Sequence, residues 1–101
     1  MKYLVIGSNG PGFSTTEEAV QFINNRVQPT FNLLKQWENE KKILAGGVPI
    51  GARTLIMIME AASHNELDEL LRSLTLWGSL TWKITPLTCF SSRAISDYKE
   101  I

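Results

Sequence analysis

Three side chains in the middle of this 101-residue chain are of the types that move protons or hold anions: Arg53, Glu60 and His64. His64 is the only histidine, and imidazole is the one side chain that ordinarily changes charge near neutrality. It follows Ser63 at the start of a helical pattern, where the positive end of the helix dipole favours the neutral ring that a general base needs. An exposed first-turn histidine with no chemistry fits the same position. Glu60 ends an otherwise apolar run, a setting in which a half-buried carboxylate suits proton transfer and a solvated strand-end carboxylate is the plainer reading. Arg53 opens that run, and its planar fork suits a substrate carboxylate or an ordinary ion pair at a subunit edge. Catalytic roles are therefore expected of Glu60, His64 and Arg53. Tyr3 and Trp37 are expected to wall a binding cleft between a long first helix and the sheet, although core packing accounts for each taken singly.

Other patterns carry less. Gly7-Ser8-Asn9-Gly10-Pro11-Gly12 lies between a strand and a helix, as phosphate loops do. Its spacing is not G-x-G-x-x-G and no G-K-[ST] follows, so a plain turn is expected, with a helix start near Ser14 that an anionic group could approach. One histidine and the distant Cys89 are too few for a metal site. No metal or organic cofactor is expected.

The elements that would position these residues follow from period and punctuation. Tyr3–Ile6 reads as a first strand closed by Gly7. Ser14 and Glu17 form a capping-box pattern that starts a helix near Thr15. Val20, Ile23, Val27, Phe31 and Leu34 recur at helical steps to about Lys41, and Pro29 predicts a kink or two helices meeting near Val27. Two strands follow, Ile43–Gly47 and Arg53–Glu60, joined by an unusually apolar loop through Pro49. The run Leu55-Ile56-Met57-Ile58-Met59 has no polar alternation, which predicts cover on both faces, one from the chain's own helices and one from a second copy. Ser63 and Glu66 make a second capping box, with Leu67, Leu70, Leu71 and Leu74 on one face and Gly78 as the expected stop. Leu80, Trp82 and Ile84 alternate with Thr81, Lys83 and Thr85 in a last strand closed by Pro86. The order βαββαβ predicts an α+β, ferredoxin-like domain over residues 1–101, an antiparallel sheet with two helices on one face. Residues 88–101 show no clear period and read as a tail that frays or packs on a neighbouring subunit.

Ten basic and ten acidic residues leave no net charge, and the chain has no basic stripe for nucleic acid. No apolar stretch approaches the roughly 20 residues that span a bilayer. A single cysteine fits a reducing compartment, so the expected location is the cytoplasm and the expected partners are further copies of the chain and a small molecule.

From Gly51 to Leu87 the chain resembles the muconolactone isomerase-like family of dimeric α/β-barrel proteins. The residues that carry the resemblance run from Ser63 through Glu66-Leu67, Leu70-Leu71 and Ser73-Leu74 to Leu76-Trp77 and Trp82-Lys83-Ile84-Thr85-Pro86-Leu87. It implies a ferredoxin-like subunit, sheet-to-sheet dimers or a ring of dimers, and cofactor-free proton transfer that shifts a double bond in a small cyclic or anionic metabolite. A cofactor-free monooxygenase and a non-catalytic small-molecule-binding or assembly module share the architecture and stand as alternatives.

Overall fold

The computed structural model describes residues 1–99. Strand β1 (Lys2–Ser8) leads through the glycine-rich turn to helix α1 (Thr16–Phe22), a π-helical turn (Ile23–Val27) and helix α2 (Gln28–Asn39). Strands β2 (Ile43–Gly47) and β3 (Leu55–Glu60) follow, then helix α3 (His64–Arg72), a 3-10 turn (Trp77–Ser79), strand β4 (Thr81–Leu87) and helix α4 (Phe90–Lys99). The sheet order is β2-β3-β1-β4 with every neighbour antiparallel, the ferredoxin-like order that the βαββαβ reading predicts.

Both helical starts are built by capping boxes. In α3, Ser63 Oγ accepts the Glu66 N–H at 3.1 Å and Glu66 accepts the Ala62 N–H at 2.6 Å. In α1 the cap is Thr15, not Ser14: Thr15 Oγ1 accepts from Glu18 N–H at 3.1 Å, and the Glu18 carboxylate accepts from Ser14 N–H. Two adjacent hydroxyls followed by Glu17-Glu18 permit either register, and the structure uses the later one.

Pro29 does not break the long helix. It has no N–H to return to the preceding turn, and the chain widens just before it, with Gln28 N–H reaching the Ile23 carbonyl in an i→i−5 bond. The loosened Arg26 carbonyl accepts the Thr75 hydroxyl at 2.6 Å. Thr30, almost fully buried, donates to Thr75 Oγ1 at 3.0 Å and accepts the Leu76 N–H at 3.2 Å. This chain of bonds ties the bend to the segment after α3. Thr30→Val keeps the shape and leaves the Leu76 N–H buried without a partner, so it is expected to cost about 1–3 kcal/mol in a urea titration.

The core lies between one sheet face and the helices. Tyr3, Val5, Ile43, Leu55, Met57 and Met59 pack there against Leu34, Trp37, Leu67, Leu71 and Leu74. Trp82 crosses beneath Trp77, with ring centroids 5.3 Å apart and its indole N–H donating to the Trp77 carbonyl at 2.9 Å. α3 ends earlier than Gly78 predicts, at Ser73, because Leu74 and Leu76 must turn inward to reach the core; Gly78 sits inside the 3-10 turn. On β3 the burial alternates within one chain. Leu55, Met57 and Met59 lie under the helices, whereas Ile56 is 38% exposed and Ile58 half-buried on the opposite face. Cover of that second face is not a property of the single chain.

The expected tail is a helix from Phe90 to Lys99; the rest of it, Glu100 and Ile101, lies outside the described residues. No residue of α4 is buried. Cys89 precedes it, with its sulfur 2.9 Å from Ser92 Oγ and 3.8 Å from Ser91 Oγ. The Ser92 hydroxyl and backbone N–H, with help from Ser91, stabilise the thiolate and bring the Cys89 thiol down to about 7. The rate of its alkylation by iodoacetamide is therefore expected to rise with pH through a midpoint near 7, and Ser92→Ala is expected to move that midpoint upward.

Candidate functional site

A cleft of about 240 Å³ opens between the π-turn and α2 on one side and the end of the sheet on the other. Its walls are Phe13, Ile23, Val27, Phe31, Leu76 and Leu80, with Val48 and Ala52 from the apolar β2–β3 loop. The π-turn before Pro29 shapes it, since Ile23 and Val27 belong to that turn. Among the described residues one charged side chain lines it, that of Arg53.

Arg53 is seated by the glycine-rich turn. Gly10 N–H donates to the Arg53 carbonyl at 3.1 Å, which pins the turn to the start of β3. A Cβ on Gly10 would come within 2.7 Å of the Arg53 Cβ, and one on Gly12 within 3.2 Å of Arg53 Nη1. Gly10 and Gly12 therefore let the arginine lie along the turn. Among the described residues no carboxylate pairs with the guanidinium. An apolar cleft with one unpaired planar cation at its edge can hold a ring through its walls and an anionic substituent through the fork.

Glu60 and His64 are not at this cleft. β1 pairs with β3 so that Gly7 faces Leu55 at the cleft end and Lys2 faces Glu60 at the other, five steps or about 16 Å away. There the Tyr3 hydroxyl lies 2.6 Å from His64 Nδ1, and the rings meet edge-on at 5.5 Å. Glu60 pairs with the Met1 amino group at 3.2 Å. The structure thus joins Tyr3 to His64, holds Glu60 at the same end of the sheet against the Met1 amino group, and leaves Arg53 apart at the other end. The antiparallel register makes one shared site for all three expected catalytic residues impossible within a chain.

Tyr3 and Trp37 do not wall the cleft. They are 1% and 2% exposed and belong to the core, with Tyr3 reaching His64 at the start of α3. Phe13, Phe31 and Leu80 take the lining role expected of them. Among the described residues, no group of three or more His, Cys, Asp or Glu is placed to hold a metal ion, and no helix is long and apolar enough to cross a membrane.

The chain has an α+β, ferredoxin-like fold. Among solved structures it is similar to muconolactone isomerase, with a TM-score of 0.73 and 16% identity over 91% of this chain and 93% of that one. It is also similar to 5-chloro-2-hydroxyhydroquinone dehydrochlorinase (TftG) from Burkholderia phenoliruptrix AC1100, solved with 2,5-dihydroxybenzoquinone. That match has a TM-score of 0.67 and 18% identity over 91% of this chain and 98% of the other. No family model and no curated protein sequence matches the chain. Identities this low establish the shared fold alone.

Proposed function

We propose that this is a muconolactone isomerase-like protein that binds a small anionic ring compound in the cleft beside Arg53. The observation that carries the reading is an arginine with no carboxylate partner among the described residues, at the edge of a mainly apolar cleft of about 240 Å³, room for a single ring and its substituents. The two structures reported above are named for compounds built on one small ring, which supports the same ligand class here. The chemistry proposed is cofactor-free proton transfer, an intramolecular double-bond shift, in the reducing cytoplasm where an exposed cysteine stays free.

The working form proposed is a pair of chains. Leu4, Ile6, Ile56 and Ile58 share the sheet face that the helices leave open, and a second copy applied to it would close a two-sheet barrel. Among the described residues of one chain no carboxylate or imidazole lines the cleft, so the isomerase reading takes its proton acceptor from elsewhere in the assembly. His64, held through Nδ1 by Tyr3 with its other nitrogen free of protein partners among the described residues, is the group proposed for that task, with Glu60 at the same end of the sheet as the other candidate. A purely ligand-binding module is the second reading, favoured by the separation of Arg53 from Glu60 and His64.

Titration with 2,5-dihydroxybenzoquinone, followed through its visible absorbance, tests the ligand class. Saturable binding of one molecule per chain is expected, and no binding at millimolar concentration would remove the reading. Incubating muconolactone with the protein in deuterated buffer separates the chemistries. Deuterium incorporation without oxygen uptake marks the isomerase, oxygen consumption marks the monooxygenase, and an unchanged compound marks the binding module.

A further inference from the structure

The described structure has more surface than its mass warrants. Its accessible area is 7041 Å², about 1300 Å² above the size-scaling expectation for a compact 11.3 kDa chain. Its radius of gyration is 16.3 Å where about 13 Å is usual at this length, and its extents are 60 × 24 × 21 Å. The excess comes with α4, which leaves the end of the edge strand β4 and touches its own body too little to bury any residue. Phe90, Ala94, Ile95 and Tyr98 form one stripe at helical steps, and Phe90 is 96% and Tyr98 80% exposed. An isolated ten-residue helix is marginal in water, so this one needs a surface to pack on.

We propose that α4 is an exchanged arm that packs on a second copy of the chain, in the groove between its α2 and β2. The groove measures about 210 Å³ and is lined mainly by Phe31, Leu34, Ile43, Val48 and Met57, with Lys35 and Glu38 on its helical rim. The arm carries Arg93 and Asp97 one turn apart, paired at 2.9 Å. Lys35 and Glu38 are spaced by almost the same rise on α2. Laid antiparallel, Arg93 meets Glu38 and Asp97 meets Lys35, while the apolar stripe enters the groove. The surplus area exceeds the roughly 800 Å² per partner of a standard stable interface, so exchange of two arms accounts for it. β2 and β4 are the two edge strands, and a face-to-face pair brings the β4 edge of one copy beside the β2 edge of the other. The arm rests on the self-association proposed above and makes the groove and the arm two halves of one contact.

The test uses the full chain with Tyr98→p-benzoylphenylalanine, mixed in equal parts as unlabelled and 15N-labelled protein and irradiated. Cross-linked peptides joining Tyr98 of one isotope to the Lys35–Glu38 or Gly46–Val48 segments of the other are expected. Cross-links confined to one isotope, or to any other segment, overturn the arm. Truncation after Thr88 is expected to weaken self-association at least tenfold in sedimentation velocity without lowering the thermal midpoint of the remaining fold. Unchanged self-association of the truncated chain overturns it as well. A full-length chain that stays monomeric would remove the pairing and the arm together, whereas a dimer whose arms cross-link only within their own chain removes the arm alone.

Discussion

Arg53→Leu is expected to weaken the binding of an anionic single-ring ligand by about tenfold or more, with the fold intact. Arg53 is exposed and pairs with no carboxylate among the described residues, so its removal breaks no internal ion pair. A hydrogen bond to a charged partner contributes about 1.5–3 kcal/mol, which is roughly ten- to a hundredfold in affinity. Solvent screening at the open edge of the cleft places the result near the lower end. Leucine keeps the apolar lining, so the loss reports the charge and not a new cavity. Two controls separate fork from field. Arg53→Lys keeps the charge without bidentate geometry and is expected to fall between. Raising salt is expected to weaken binding to the parent protein and to leave the leucine variant unaffected. Equal affinities for parent and Arg53→Leu across the titration would remove Arg53 from the site.

The second large effect is expected at Ile58→Asp. Ile58 lies in the middle of the open sheet face, opposite Leu4 on β1 and Ala45 on β2. In the single chain it is half-buried, so a carboxylate there can reach water. Between two facing sheets the same carboxylate would be desolvated with no cation directly opposite, a cost of several kcal/mol. Self-association is expected to weaken by about a hundredfold or more, equivalent to about 2.7 kcal/mol. Circular dichroism at the same concentration should still show a folded α+β chain. A variant that sediments as the parent does would mean that this face is not the interface.

The elements that were legible in the sequence are those whose signals are local and redundant. The second capping box at Ser63 and Glu66 and the buried Leu67 and Leu71 of α3 recur in the structure as read, whereas on the edge strand β4 Trp82 is half-buried and Ile84 is exposed. The first capping box slips by one residue because Ser14 and Thr15 compete for one role. α4 escaped the reading for a different reason. Its stripe of Phe90, Ala94, Ile95 and Tyr98 is short, interrupted by Ser91, Ser92 and Arg93, and has no counterpart surface in its own chain to give it meaning.

The site was legible in its parts and not in their arrangement. Arg53, Glu60 and His64 are close along the chain, which invites a single constellation. The strand from Leu55 to Glu60 holds its two ends about 16 Å apart, and that separation is invisible until the register is known. The cleft lies between the first helix and the sheet, as Pro29 suggests, but at the end where the π-turn opens the packing. Tyr3 and Trp37 have the amphipathic bulk that suits a cleft wall, but large aromatics fill the core first. The useful signal was Gly10-Pro11-Gly12 together with Arg53: a turn stripped of side chains opposite a long cation.

The most direct measurement maps a ligand onto the amides of the protein. With 2,5-dihydroxybenzoquinone added to 15N-labelled chain, the largest NMR shift changes are expected at Gly10, Gly12, Arg53, Thr54 and Leu80, around the cleft. Changes concentrated instead at Tyr3, Glu60 and His64, with the cleft amides unmoved, would contradict the account.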